Sequence, residues 1–285
     1  MLTSLGDLFT TKRVIVTVGC GGVGKTTIAA ALALAAAQRG RRVLCLTIDP
    51  AKRLATSLGL REMAHEAQEI DPALWRTEGE GTLTAMMLDV RGTFDALVTR
   101  YANNPQTRDR ILNNQIYHSS TGADFLSQVA EFLSDLQSLF GGFRERASKV
   151  RDALMASEVA FVVVSSPDPM AVGEAMFFVD HLQKHRMNAE ALVMNRVRQA
   201  EDLPTPSADR LAGLLADANI PNATDLGAAF SRAWRDMSTW ARRDALEVAR
   251  AQREMASVPR HAVVPTLDED VYDLAALAHV AQRLV

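Results

Sequence analysis

Residues 19–26 read GCGGVGKT and decide the fold, because they fit the pattern G-x-x-x-x-G-K-[ST]. A β-branched run, VIVTV, precedes them at 14–18. An alanine- and leucine-rich stretch at 25–38 follows and stops at Gly40, and a second apolar run, RVLCLTI, occupies 42–48. The order of strand, glycine loop, helix and strand predicts a βαβ unit whose two strands are parallel and buried on both faces.

The rest of the chain continues the alternation of strands and helices. Strands are predicted at 82–90, 160–165, 189–194 and 261–264, and helices at 126–139, 143–154, 171–184, 225–255 and 271–284. Gly141 and Gly142 are predicted to separate the first two of these helices, and 203–222 is predicted to be a loop with one short helix. This pattern predicts the α/β class: one domain over 1–285, with a doubly wound, mostly parallel sheet flanked by helices. Residues from about 91 to 158 are predicted to form a helical subdomain.

The composition excludes several classes of protein. The chain has 285 residues, 48% of them apolar, and a net charge of -3, which excludes a disordered chain and argues against a nucleic-acid binder. Its two cysteines, Cys20 and Cys45, cannot build a disulfide framework or a cysteine-rich zinc site. The N-terminus lacks a signal-peptide layout, and no apolar run is long enough to span a membrane. The sequence therefore predicts a cytoplasmic protein without a transmembrane segment.

The glycine loop carries the chemistry of a phosphate-binding site. Glycines let backbone N–H groups converge on phosphate oxygens, and the helix that follows adds its positive N-terminal end. Lys25 supplies a charge for the terminal phosphates, and the Thr26 hydroxyl suits Mg²⁺. The alternative is a glycine-rich turn without a ligand, which the presence of both side chains disfavours. The predicted nucleotide-binding residues here are Gly21, Gly22, Val23, Gly24, Lys25, Thr26 and Thr27.

The residues after the second strand indicate more closely which class of phosphate-binding protein the sequence resembles. Residues 49–54 (DPAKRL) and 57–59 (SLG) resemble the D-P-A-x-x-L…S-L-G segment of the ArsA-type arsenite-pump ATPases. These are P-loop NTPases of the SIMIBI type; close relatives target tail-anchored membrane proteins, and more distant ones include MinD and ParA. The resemblance implies that this segment is the first switch and that Asp49 positions the attacking water, which makes Asp49 and Lys25 the predicted catalytic residues. The other reading of Asp49 is a helix cap.

Two later segments extend the resemblance over most of the chain, which resembles bacterial members of the group. Residues 193–196 (VMNR) end a strand, and the family places there an Asn that reads the adenine edge, which implies that role for Asn195. An amide can donate to and accept from a base, although an Asn also commonly ends a strand. Residues 264–271 (VPTLDEDV) resemble the family's adenine loop, which implies that the backbone at Pro265 and Thr266 lies beside the base.

The sequence departs from the family at two places. Cys20 stands where family members often have a lysine that reaches across a dimer, and a thiol cannot supply that charge. The acidic strand and second switch are also not found, and the shortage falls near 118–122. Either the chain has lost this segment, or its numbering passes over residues that were left out. The second explanation is favoured, because removing a central strand would leave backbone groups unpaired.

These features together predict an ATPase that hydrolyses ATP with Mg²⁺ and acts as a nucleotide-driven conformational switch. The resemblance implies a homodimer that acts on an unknown protein cargo or a membrane-associated partner. The alternative is a nucleotide-binding switch or scaffold without efficient hydrolysis, to which Cys20 and the missing acidic strand point. An arsenite site and a zinc-bridged dimer are not expected, since the two cysteines form no cluster.

Overall fold

The structure is a computed structural model that describes residues 4–48, 52–60, 64–75, 80–101, 105–112, 140–199, 205–267 and 269–285. Three expectations fall outside these residues: the position of Asp49, the helix at 126–139 and the junction at 118–122. They stay predictions.

The N-terminal half begins with a short helix and the predicted βαβ unit. Its elements are α1 (Leu8–Thr11), β1 (Val14–Val18), α2 (Lys25–Gln38), β2 (Arg42–Thr47), α3 (Lys52–Ser57), β3 (Gln68–Glu69), β4 (Thr82–Met87), α4 (Val90–Tyr101) and α5 (Pro105–Leu112). A single 3₁₀ turn, Pro72–Leu74, precedes β4 and is capped by the Asp71 carboxylate. The strand predicted at 82–90 is therefore shorter than expected, because α4 already begins at Val90.

The C-terminal half follows the predicted alternation closely. Its elements are α6 (Phe140–Leu154), β5 (Val159–Ser165), α7 (Pro169–Lys184), β6 (Ala189–Val197), α8 (Ala208–Asp217), α9 (Ala223–Glu254), β7 (Arg260–Pro265) and α10 (Leu274–Leu284). One predicted boundary is wrong: Gly141 and Gly142, predicted as a break before a helix at 143–154, lie in the first turn of α6. Glycine is tolerated near a helix terminus more readily than in its interior.

The strands form two sheets. Four parallel strands make the first sheet, in the order β1-β5-β6-β7. The second has the order β2-β4-β3, in which β2 and β4 are parallel and β3 is antiparallel. Helices flank the strands, so the α/β class with a mostly parallel sheet is confirmed. Within the described ranges, however, no strand joins β1 to β2.

Helices cover the first sheet on both faces. Helices α2 and α10 pack on one face, where Ile28 and Leu34 of α2 contact a core that includes Val162 and Leu277. Helices α7 and α9 cover the other face around Leu192 and Val172. Strand β5 is buried at all seven positions as a result. Alanines occupy much of α2 and let it approach the strands closely, and the helix contacts both β1 and β2.

The strands β1 and β2 are less buried than the sequence predicts. Val14 is 48% exposed in β1, and Leu44 and Leu46 are 53% and 47% exposed in β2. A strand in the middle of a parallel sheet is buried on both faces, as β5 is. The prediction that both runs are fully buried is therefore wrong, because each forms the edge of its own sheet among the described strands.

An ion-pair cluster ties together the amino ends of three strands, opposite the glycine loop. Glu190 at the start of β6 accepts a hydrogen bond from Lys12 at 2.5 Å and one from Arg260 of β7 at 2.9 Å. Lys12 also donates to the carbonyl of Ser157. Burial would raise the pKa of Glu190, but the two cations outweigh it and hold that pKa below its usual value. Lys12 precedes β1 and so lies at the opposite end of that strand from the glycine loop.

None of the helices that the structure describes combines the length and the apolar character needed to cross a membrane.

Candidate functional site

The glycine loop after β1 has a conformation that its glycines alone permit. Gly19 and Gly24 have φ values of +149° and +95°, where other residues are strained. A Cβ on Gly19 would collide with the carbonyl oxygen of Val164 in β5, and one on Gly24 would collide with Nδ2 of Asn195. The two glycines therefore let the loop lie directly against the ends of β5 and β6.

Lys25 points back across this loop. Its Nζ donates a hydrogen bond to the carbonyl oxygen of Cys20 at 2.7 Å. Helix α2 begins at Lys25, so the free N–H groups of its first turn face the loop. Thr26 and Thr27 lie in that turn and are partly buried, while Gly21 and Gly22 are exposed. The loop thus presents an ammonium group, a helix N-terminus and an open backbone in one place, which suits an anion.

Two consecutive residues at the end of β6 hold the loop from the other side. Asn195, 7% exposed, donates from Nδ2 to the Val23 carbonyl at 2.8 Å. Arg196 donates from Nη1 to the Gly22 carbonyl at 2.9 Å, and its backbone has a positive φ of 61°. The amide of Asn195 keeps its Oδ1 and a second N–H for another partner. The predicted adenine contact at Asn195 stays a prediction.

The predicted adenine-loop residues lie next to Asn195 in the sheet. Pro265 ends β7 in register with Val197 of β6, and the N–H of Thr266 donates to the Val197 carbonyl at 2.9 Å. The glycine loop, Asn195 and Pro265–Thr266 therefore share the carboxyl edge of one parallel sheet. Ligands of open α/β sheets bind at this edge.

A cavity of about 400 Å³ opens beside the loop. Residues 20–23 line one side, and Ser166, Asp168, Met170 and Glu174 line the other. Asp168 caps α7, since its carboxylate accepts from the N–H groups of Met170 and Ala171. The cavity thus extends from the glycine loop toward the start of α7.

Cys20 faces this cavity as a protonated thiol. Burial raises its pKa, and the negative charge of Glu174 raises it further, while Lys25 acts in the opposite sense. Because the thiolate is the reactive form, this environment suits a small packing residue better than a redox-sensitive one.

The residues present fit a Mg²⁺-nucleotide. Gly21 and Gly22 leave open space beside the loop backbone, and Lys25 already engages an oxygen. In the described part of the chain, no three His, Cys, Asp or Glu residues converge on a metal position. A Mg²⁺ ion bound chiefly by phosphate oxygens, with one hydroxyl such as that of Thr26, needs no such cluster.

Sequence reasoning missed Arg196 and Glu174. Arg196 lies 174 positions from the glycine it contacts, and no local pattern signals such a pairing. Glu174 lies one turn into α7 and reaches the loop only because β1 and β5 are neighbours. The start of α7 itself was visible, since Asp168 followed by Pro169 is a helix-start signal.

The fold and the loop together define the class: the protein has a P-loop NTPase fold. Residues 12–86 match the family model described as anion-transporting ATPase, which covers β1, the loop, β2, α3 and β4. The resemblance to ArsA-type ATPases is thereby confirmed for the part of the chain that holds the loop.

The chain is also similar to individual proteins. It is 26% identical to the septum site-determining protein MinD of Escherichia coli K12 over 211 residues, which are 72% of this chain and 59% of the relative. Over 136 residues, 45% of this chain and 37% of the relative, it is 31% identical to the ATPase GET3 of Ajellomyces dermatitidis. The chain therefore spans between a third and three fifths of the length of these relatives.

Proposed function

We propose that the protein is an ArsA-like ATPase that binds ATP with Mg²⁺, hydrolyses it and changes conformation in response. The observation that carries this proposal is the glycine loop, in which Lys25 crosses to the Cys20 carbonyl at 2.7 Å while Asn195 and Arg196 hold the carbonyls of Val23 and Gly22. A loop held in this way has its N–H groups preorganised for phosphate, which lowers the entropic cost of binding.

Each residue has a defined task in this scheme. The Lys25 ammonium exchanges the Cys20 carbonyl for β- and γ-phosphate oxygens, and the N–H groups of the loop and of Thr26 and Thr27 complete the cradle. The Thr26 hydroxyl is a ligand for Mg²⁺, which supplies charge neutralisation when bound with ATP. Asp49 orients the attacking water. Asn195 and the backbone at Pro265 and Thr266 bind the adenine.

The biological setting of the reaction is part of the proposal. By resemblance, the protein works in the cytoplasm as a homodimer on a protein cargo or a membrane-associated partner. The relatives named for septum placement and for ATPase activity support a nucleotide-driven switch. Cys20 in place of a loop lysine means that any dimer would lack activation by that group across the interface.

A lysine substitution tests the proposal. Lys25→Ala should reduce ATP affinity by at least tenfold, because it removes the ammonium that bonds across the loop to the Cys20 carbonyl. Lys184→Ala is the matched control: it removes an ammonium that is 69% exposed and that pairs, within the described ranges, with Asp180, and it should leave affinity unchanged. Titration calorimetry with ATP and Mg²⁺ measures both. Equal ATP affinity in Lys25→Ala and the wild type would refute the proposed site.

A nucleotide-binding switch without efficient hydrolysis is the second candidate. The observation that favours it is the division into two sheets, since no described strand lies between β1 and β2 where an acidic strand would run. A phosphate-release assay separates the candidates. Turnover that is lost in Asp49→Asn while ATP still binds supports the enzyme. Equal, negligible turnover in wild type and Asp49→Asn supports the switch.

A further inference from the structure

Two histidines lie one turn apart at the C-terminal end of α7, whose N-terminal end borders the cavity beside the glycine loop. His181 lies in the last turn of the helix, His185 is its C-cap, and both residues are exposed. Residues four positions apart on a helix share one face, with Cβ atoms about 5–6 Å apart. Helical side chains also lean toward the N-terminus, so the ring of His185 lies over the turn that carries His181.

The two rings are spaced as ligands of one metal ion would be. Their centroids are 4.5 Å apart, and their planes are inclined by 54°. Imidazole nitrogens bond to Zn²⁺ at about 2.0–2.1 Å, and two rings that do so at angles between a right angle and the tetrahedral angle have centroids roughly 4.5–5.2 Å apart. The observed separation therefore fits two ligands of one ion with little movement of either side chain.

Neither ring has another partner in the part of the chain that the structure describes. Other histidines do: the ring of His65 bonds to the Met87 carbonyl, and that of His261 bonds to the Val258 carbonyl. By contrast, no described residue forms a hydrogen bond or ion pair with the ring of His181 or His185. A neutral imidazole has one nitrogen lone pair to offer a metal ion, and among the described residues nothing competes for it.

The surroundings order this pair and favour a cation. Phe177 stacks on His181, with centroids 5.9 Å apart and planes inclined by 23°, which restricts rotation of that imidazole. Lys184 lies between the two histidines in sequence, but its ammonium donates to Asp180 at 2.6 Å, so its charge is compensated. The last carbonyls of α7 form the negative end of the helix dipole, which attracts a positive ion.

We propose that His181 and His185 form a chelating site for a divalent transition-metal ion such as Zn²⁺, separate from the Mg²⁺-nucleotide site. Imidazole suits Zn²⁺, Ni²⁺ and Cu²⁺, whereas Mg²⁺ and Ca²⁺ prefer oxygen ligands. Within the described ranges no third His, Cys, Asp or Glu joins the pair. Water completes the coordination, which makes this an open, exchangeable site rather than a closed structural one.

The bound ion links two residues of the last helical turn. The N–H groups of His185 and Met187 donate to the carbonyls of His181 and Leu182 and so close this turn. Local opening that breaks these bonds separates the two rings and releases the ion, so the ion stabilises the closed turn by mass action. Zn²⁺ should therefore slow hydrogen exchange at the N–H groups of His185 and Met187.

Zinc titrations of the full chain test the proposal. The probe is Zn²⁺ alone, measured by calorimetry in excess Mg²⁺, which should not compete. His181→Ala or His185→Ala should weaken binding by about tenfold or more, because one imidazole loses the effective concentration of the second. The matched control is His279→Ala: His279 is exposed on α10 with no histidine one turn away, and its loss should leave the affinity unchanged.

Nuclear magnetic resonance of the imidazole nitrogens locates the ion in the wild type without any substitution. The chain has 6 histidines, and Zn²⁺ should shift the resonances of His181 and His185 together, at one ion per chain, before it shifts those of the other four.

Three results would overturn the proposal. Unchanged Zn²⁺ affinity in both alanine variants would show that the pair does not bind the ion. Shifts confined to other histidines would place the ion elsewhere. One ion per two chains would show a site shared between copies rather than a chelate within one α7. Should either alanine variant fail to fold, the imidazole resonances of the wild type and its exchange at His185 still decide the question.

Discussion

The contact between Gly24 and Asn195 makes a prediction about how the loop is held. Gly24→Ala places a Cβ on a residue with φ of +95°, against Nδ2 of Asn195. A left-handed conformation costs a non-glycine residue about 1–2 kcal/mol. Displacing Asn195 also removes its hydrogen bond to the Val23 carbonyl, worth about 1 kcal/mol. The free energy of unfolding should therefore fall by about 2–3 kcal/mol.

Urea unfolding followed by circular dichroism measures this loss. The matched control is Gly213→Ala, because Gly213 lies within α8 and a Cβ there meets open space. That substitution should raise stability by about 0.5–1 kcal/mol, since alanine favours a helix over glycine. If the loop of Gly24→Ala instead relaxes to avoid the collision, the loss should appear in nucleotide affinity, at tenfold for each 1.4 kcal/mol.

A double-mutant cycle separates strain from the lost hydrogen bond. Asn195→Ala removes the group that the new Cβ strikes. Once it is gone, the hydrogen bond cannot be lost a second time, so the double variant should be more stable than the sum of the single losses by about 1 kcal/mol. Additive effects, or a Gly24→Ala variant with wild-type stability and wild-type ATP affinity, would refute this account of the loop.

Two further predictions concern titratable groups. Glu190→Gln should lower the free energy of unfolding by about 2 kcal/mol at pH 7, because Lys12 and Arg260 lose their shared carboxylate. Since the folded-state pKa of Glu190 is depressed, this difference should shrink as pH falls below the ordinary value of 4.5, and urea titrations at several pH values test the sign. Glu174→Gln should speed iodoacetamide alkylation of Cys20 at pH 8, because one cause of its raised pKa is removed; buried Cys45, whose pKa is raised to about 11, is the internal control in the mass spectra. An unchanged alkylation rate would show that Glu174 does not act on the thiol.

The sequence predicted those parts of the fold that local pattern controls. The β-branched runs and the glycine loop located β1, α2 and β2 to within a residue, since periodicity and turn chemistry are local properties. The helix predicted at 171–184 begins two residues earlier, where Asp168 caps it, and the short helix expected within 203–222 is α8, capped by Ser207. Element boundaries were wrong at Gly141 and Gly142, which lie within a helix, and at the end of β4, which stops before α4 begins at Val90.

Long-range pairing lay beyond prediction from the sequence. The run VIVTV looks alike whether it is central or at an edge, so the exposure of Val14 could not be foreseen. The contacts of Asn195 and Arg196 with Val23 and Gly22 join segments more than 170 positions apart. The sequence did indicate a polar residue at the end of β6, but not that it would hold the loop.

The groups that hold the glycine loop and the segment that contains Asp49 belong to different sheets. The groups that hold the glycine loop all lie on the first sheet: Gly19 rests against β5, and Asn195 and Arg196 end β6. The segment that contains Asp49 follows β2, which belongs to the second sheet. Helix α2, which starts at the loop, contacts strands of both sheets and so links them among the described elements.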